Sequence, residues 1–138
     1  MVIEQTYFIR GGDFSHAGDA SSKVKKLLKQ LGVDARKIKN IVIALYEAEV
    51  NIVAHAWEGM IRISIEADRI SCTLEDKGPG IEDIGQAMVE GYSTASKEVR
   101  EMGFGAGMGL SNIKRNTDVL EITSEVGVGT KVYMVNYF

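Results

Sequence analysis

The alternation of hydrophobic and polar positions divides the chain into segments of two periods. Residues 2–10, "VIEQTYFIR", are rich in β-branched and aromatic side chains and predict a strand. In "DFSHAGDASSKVKKLLKQLG", Ala17, Ala20, Val24, Leu27, Leu28 and Leu31 recur at helical spacing and Gly32 supplies a stop. Asp34 is suited to cap a second, longer helix running to about Trp57, with Ile38, Ile41, Val42, Leu45, Ile52, Val53 and Ala56 on one stripe. The period then falls to two. "MIRISIE" sets Ile61, Ile63 and Ile65 against Arg62, Ser64 and Glu66, "RISCTLED" alternates Ile70, Cys72 and Leu74, and a hairpin is expected across "AD". Pro79 follows in a glycine-bracketed loop, and a short helix is expected around Ile84 to Met88. "EGYSTASKEVREMG" lacks a clear apolar face and reads as a mobile loop. After "GFGAGMGL", the segment "LSNIKRNTD" predicts a short helix, and "VLEITSE", the turn "VGVG" and "TKVYMVNYF" predict a final hairpin.

Strands in adjacent pairs with helices interspersed predict a two-layer α/β sandwich, its sheet mixed but mostly antiparallel and its helices on one face. A length of 138 residues with no internal repeat or linker implies one domain, 1–138. The composition, 45% hydrophobic and 25% charged, is that of an ordinary globular protein. A net charge of −3 and pI near 5.4 argue against nucleic acid or an anionic membrane surface as partner. The single cysteine, Cys72, excludes an internal disulfide and alternates with core residues. With no leader or long apolar run in the sequence, the expected address is the cytoplasm.

Candidate chemistry gathers in three places. On the second helix Glu47, Asn51 and His55 stand at i, i+4 and i+8 and share one side, which taken alone reads first as a solvated polar face. Asp76 ends a strand before a turn through Gly78, Pro79 and Gly80. Gly103, Gly105, Gly107 and Gly109 alternate in a run that fits neither the G-x-G-x-x-G dinucleotide fingerprint nor a P-loop, and such a run marks either special backbone angles or a close ligand.

In order and spacing, Glu47/Asn51, Asp76/Gly78/Gly80, the glycine run and the late Gly129/Thr130 resemble the nucleotide-binding boxes of the gyrase, heat-shock chaperone, histidine kinase and MutL superfamily, the Bergerat fold. Within it, "EAEVNIVAHA", "DKGPGIEDIGQAM", "EGYST", "GMGLSNIKR" and "GTKV" most resemble the stand-alone serine kinases that act as anti-sigma factors or partner-switching regulators. The resemblance implies ATP and Mg²⁺ as cofactors. It implies that Asp76 accepts from the adenine amino group with Thr130 assisting through water, that Asn51 ligates Mg²⁺, and that Glu47 is the general base. It places Gly78, Gly80, Gly103, Gly105, Gly107, Met108, Gly109 and Leu110 around the nucleotide, with hydroxyls of Ser93 and Thr94 on the phosphates and His55 in the helix box as either a site or a packing residue. The implied partner is an anti-anti-sigma-type antagonist protein, with a sigma factor and a homodimer left open. A nucleotide-gated binding switch without transfer activity, or an ATPase subunit of a larger complex, shares every box.

Two features stand outside this reading. Glu49 falls on the apolar stripe, where a carboxylate needs a partner beneath the sheet or at a subunit contact; a shared base role with Glu47 is the alternative. In the first forty residues, "FSHAGD" shows a partial likeness to the histidine-kinase phosphoacceptor box, but Ala17 stands where an acid is expected after His16. Ser15, Ser21 and Ser22 read as capping or solvated helix residues, with partner docking on the same segment as the alternative.

Overall fold

The computed structural model describes residues 2–89 and 109–138. The elements run β1 (Ile3–Arg10), a 3₁₀ turn (Phe14–His16), α1 (Asp19–Gln30), α2 (Ala35–His55), β2 (Glu58–Ile65), β3 (Arg69–Lys77), α3 (Ile84–Ala87), α4 (Gly109–Arg115), β4 (Val119–Glu125) and β5 (Gly129–Tyr137). The strands form one sheet in the order β1-β2-β3-β5-β4. Every pairing among the described residues is antiparallel, so the expected mixed component is absent from them. For β1 and β2 the reason lies in their connection. α1 and α2 form a helical hairpin that returns to the end of β1, where the Gly12 N–H donates to the Val53 carbonyl (2.8 Å) and Gly11 to Trp57 (2.9 Å). A chain re-entering the sheet where it left must run antiparallel.

Alternation decides which sheet face is covered. Ile61, Ile63, Ile65, Ile70, Cys72, Leu74, Val132 and Met134 are all buried against α1, α2 and α4, whereas Arg62, Thr73 and Glu75 line the opposite, open face. Cys72 belongs to this core, and burial pushes its thiol pKa up to about 12. The helix stripe of Ile38, Ile41, Leu45 and Ile52 closes the layer from above.

The first helix departs from its apolar period at one point. Gly18 adopts φ 94°, which ends the 3₁₀ turn and starts α1 anew at Asp19; a β-carbon there would stand 3.0 Å from the Tyr46 ring. No local side chain caps α1. The cap comes from α2: Glu49, 0% exposed, accepts at Oε2 from the N–H groups of Gly18 (2.9 Å) and Ala20 (3.3 Å), and at Oε1 from Ser21 N–H (2.9 Å) and Ser21 Oγ (2.6 Å). The carboxylate thus meets the positive end of the helix and four donors together. This accounts for the acid on the apolar stripe and removes it from any base role, because it lies on the side of α2 turned towards α1. Ser21, expected at a cap or in solvent, is instead buried as part of this network, while Ser22 is exposed.

Replacing Glu49 with Ala is expected to lower stability by about 2–4 kcal/mol, since buried donors lose their acceptor. The exposed Ser22→Ala should stay within about 0.5 kcal/mol. Urea midpoints for the two variants check both values, and equal midpoints would remove the cap from its structural role.

Candidate functional site

The α2 face opposite Glu49 carries the first cluster. Glu47 and Asn51, one turn apart and both half-buried, point at the start of α4. A β-carbon placed on Gly109 would stand 3.1 Å from Asn51 Oδ1, 3.3 Å from Asn51 Nδ2 and 3.4 Å from Glu47 Oε2, so glycine is what lets this backbone approach both groups. Asn112 Nδ2 on α4 lies 3.4 Å from Glu47 Oε1, a long contact that orients the carboxylate. Leu110 and Ile113 bury the other face of α4 in the core, so Leu110 can offer a ligand only its backbone.

The second cluster forms around the end of β3. Asp76 continues the inward alternation of Ile70, Cys72 and Leu74 but extends beyond the apolar layer. Its Oδ1 accepts from Thr130 N–H (3.0 Å), and desolvation by burial raises its pKa against that hydrogen bond's opposing effect. Ser124 Oγ accepts from Ile81 N–H (2.8 Å), lies 2.8 Å from Thr130 Oγ1, and donates to the Gly129 carbonyl (3.1 Å). With the Ser124 proton on Gly129, Thr130 donates to Ser124 and keeps its own lone pairs for a water or a ligand.

The glycines of the two boxes fit three segments together. A β-carbon on Gly78 would lie 2.9 Å from Ala56 Cα at the end of α2. Gly80 has φ 76° and faces the Glu125 carbonyl, and Gly129 faces the Asp76 carbonyl so closely that a β-carbon would overlap it. Backbone bonds complete the joint: Trp57 N–H to Lys77 O (2.8 Å), Gly78 N–H to Val128 O (3.1 Å) and Gly127 N–H to Pro79 O (2.8 Å). The chemistry-bearing ends of α2, β3 and β5 are thereby locked at one edge of the sandwich.

Of the residues expected from sequence, Glu47, Asn51, Asp76, Gly78, Gly80, Gly109 and Thr130 are brought together in these two clusters. Ser93, Thr94, Gly103, Gly105, Gly107 and Met108 lie outside the described residues. His55 ends α2 one turn beyond Asn51; burial lowers its pKa, and no side-chain hydrogen bond or ion pair involves it among the described residues. Asn112 and Ser124 were not anticipated. Ser124 carried a signal, as a hydroxyl on the inward face of β4 after Leu120 and Ile122; Asn112 carried none beyond its place in "LSNIKR".

The donor set can be tested against the implied cofactors. Among the described residues no three His, Cys, Asp or Glu side chains converge as a metal cage. An amide oxygen with one carboxylate nearby suits Mg²⁺, which keeps several waters and takes its remaining ligands from phosphate oxygens. Asp76, an acceptor at the wall of a partly desolvated edge, suits an amino group of a base.

An α/β sandwich with an acidic helix box, an aspartate at a strand end and a glycine-opened helix defines a nucleotide-binding ATPase domain. The chain belongs to the histidine kinase-like ATPase domain family, which matches residues 13–136. It is 32% identical over 117 residues to the serine/threonine-protein kinase RsbT of Bacillus subtilis, covering 82% of each chain. It is 35% identical over 123 residues to the anti-sigma F factor of Thermoanaerobacter sp., covering 86% of this chain and 82% of the relative. A chain in the crystal structure of the SiaB-SiaC complex from Pseudomonas aeruginosa shares the fold with a TM-score of 0.66 at 14% identity, covering 95% of this chain and 88% of that one.

The raised pKa of Asp76 carries a sign. A carboxyl whose folded pKa lies above its unfolded value favours the folded state while protonated, and that contribution is lost as pH rises from the unfolded through the folded pKa. Asp76→Asn, which keeps the acceptor for Thr130 without the charge, is therefore expected to melt at or above the wild-type temperature at neutral pH. The difference should shrink as pH falls below the unfolded value. Thermal melts across that range test this, and a variant that melts lower at neutral pH would show that the charge itself stabilises the site.

Proposed function

We propose that the chain is an ATP-dependent serine kinase that phosphorylates a small antagonist protein in a partner-switching system. The observation that carries this is the convergence of Glu47, Asn51 and the backbone of Gly109, with Asp76 anchored by Thr130 on the adjacent strands. The similarity to a serine/threonine-protein kinase and to anti-sigma F factors supports the choice of serine chemistry and of a protein substrate.

When bound, Mg²⁺ and ATP supply the phosphoryl group and the neutralisation of its charge. Asn51 would hold the ion through its amide oxygen, and Asp76 would accept from the adenine amino group. Glu47, half-buried and oriented by Asn112, would take the proton of the serine hydroxyl as phosphoryl transfer from ATP releases ADP. The Gly109 backbone leaves room for phosphate oxygens beside both side chains. Positioning and electrostatics suffice for this chemistry, so no covalent enzyme intermediate is needed. The reading extends to a sigma factor as a second partner, to a homodimer and to a cytoplasmic setting. Among the described residues no helix is long and apolar enough to cross a membrane.

Calorimetry with ATP and Mg²⁺ should give binding that Asp76→Asn weakens by about tenfold to a hundredfold, the equivalent of roughly 1.5–3 kcal/mol for a hydrogen bond to a charged group. Glu47→Ala should retain nucleotide binding and lose about 10²–10⁴-fold in phosphate transfer to a purified antagonist domain, read with radiolabelled ATP. Binding without any transfer by the wild type would make the chain a nucleotide-gated switch instead.

A further inference from the structure

The small net charge conceals a separation. Residues 23–39 hold seven cations against one carboxylate, a local net of +6 that leaves −9 on the other 121 residues. Lys25, Lys26 and Lys29 are exposed on α1, turned away from the buried Val24 and Leu28. Arg36 and Lys39 are exposed on the first turns of α2, at the end where the two helices join. The one carboxylate, Asp34, caps α2 through Arg36 N–H (3.2 Å). Among the described residues none of these five side chains has an ion pair.

This is not how a merely solvated helix face is composed. Such faces interleave both signs at i+3 and i+4, whereas here Lys25 faces Lys29, Lys26 faces Lys29, and Arg36 faces Lys39. Among the described residues these pairs repel with no ion-paired carboxylate between them, a repulsion that an anionic surface from outside would relieve. We propose that this face of α1 and the first turns of α2 docks an acidic surface of the protein partner.

The existence of a protein partner rests on the kinase reading; the charge separation does not. A compact acidic domain is favoured over a polyanion by dimensions and field. α1, at 12 residues, is about 18 Å long, and beyond the patch the chain carries its excess of carboxylates. A duplex or a membrane plane extends past the patch and meets that repulsion, while a small domain does not. The patch is also fixed relative to the transfer site, because Glu49, which holds α1, is two residues from both Glu47 and Asn51 on α2.

The test uses poly-L-glutamate as the acidic polypeptide, with duplex DNA and phosphatidylserine vesicles as the competing classes, read by fluorescence anisotropy at low and high salt. Wild type should bind poly-L-glutamate at low salt, and Lys25→Glu/Lys26→Glu/Lys29→Glu should bind it roughly tenfold or more weakly. Lys25→Gln/Lys26→Gln/Lys29→Gln should fall between, and the control Lys77→Glu/Lys131→Glu, remote from α1, should match wild type. Equal losses in the α1 and control variants, or tighter binding of DNA or vesicles at equal charge concentration, overturn the proposal. Since poly-L-glutamate binding needs no nucleotide, a wild type that fails to bind ATP overturns the kinase reading alone. Intact ATP binding with no effect of the α1 lysines overturns the docking face alone.

Discussion

The buried Glu49 carboxylate is the constraint from which the helical layer takes its geometry. An ionised group removed from water is tolerable only when its lone pairs are filled, and here the N-terminal turn of α1 fills them. The arrangement is reciprocal: α1 begins at a glycine with no local cap, and α2 carries an acid where an aliphatic residue would otherwise pack. Each defect is resolved only by the other. The rotation of α2 about its axis is thereby set on one side, and Glu47 and Asn51 on the far side inherit the setting.

The two acids of the site stand in different surroundings, which suits the separate tasks proposed for them. Asp76 stands at the end of a buried strand, partly desolvated and held by one backbone amide, which suits a fixed acceptor that reads a neutral amino group. Glu47 lies on a helix beside an amide and a glycine backbone, surroundings that suit the base role proposed for it. The glycines around Asp76 serve this division indirectly. Gly78, Gly80 and Gly129 meet the protein's own backbone, so they bring α2, β3 and the β4–β5 turn close enough to form one wall.

Much of this was legible in the residues. The period-two runs located β2 and β3, and the apolar stripe with Asp34 at its head located α2, because burial and capping act locally and leave local patterns. Gly18 was different: helical spacing runs from Ala17 to Leu31, and only the left-handed backbone angle divides the segment into a turn and a helix. Ser21 read as a capping or solvated residue because its acceptor is 28 positions away, and Glu49 looked anomalous for the same reason. The antiparallel pairing of β1 with β2 depends on where the helical hairpin returns, a fact about the docking of elements. Asn112 and Ser124 acquired their roles only when α4 met α2 and β4 met the turn after Asp76.

The strand order has a consequence for how such a chain finds its fold. The ladders β2–β3 and β4–β5 are hairpins closed by short turns, and they can form early at little entropic cost. The ladders β1–β2 and β3–β5 join segments separated by a helical hairpin in one case and by the glycine run in the other. These non-local closures dominate the contact order and set the folding rate. The β3–β5 joint is also the one on which Asp76 meets Thr130, so closing the sheet there and assembling the Asp76 cluster draw on the same long-range contact.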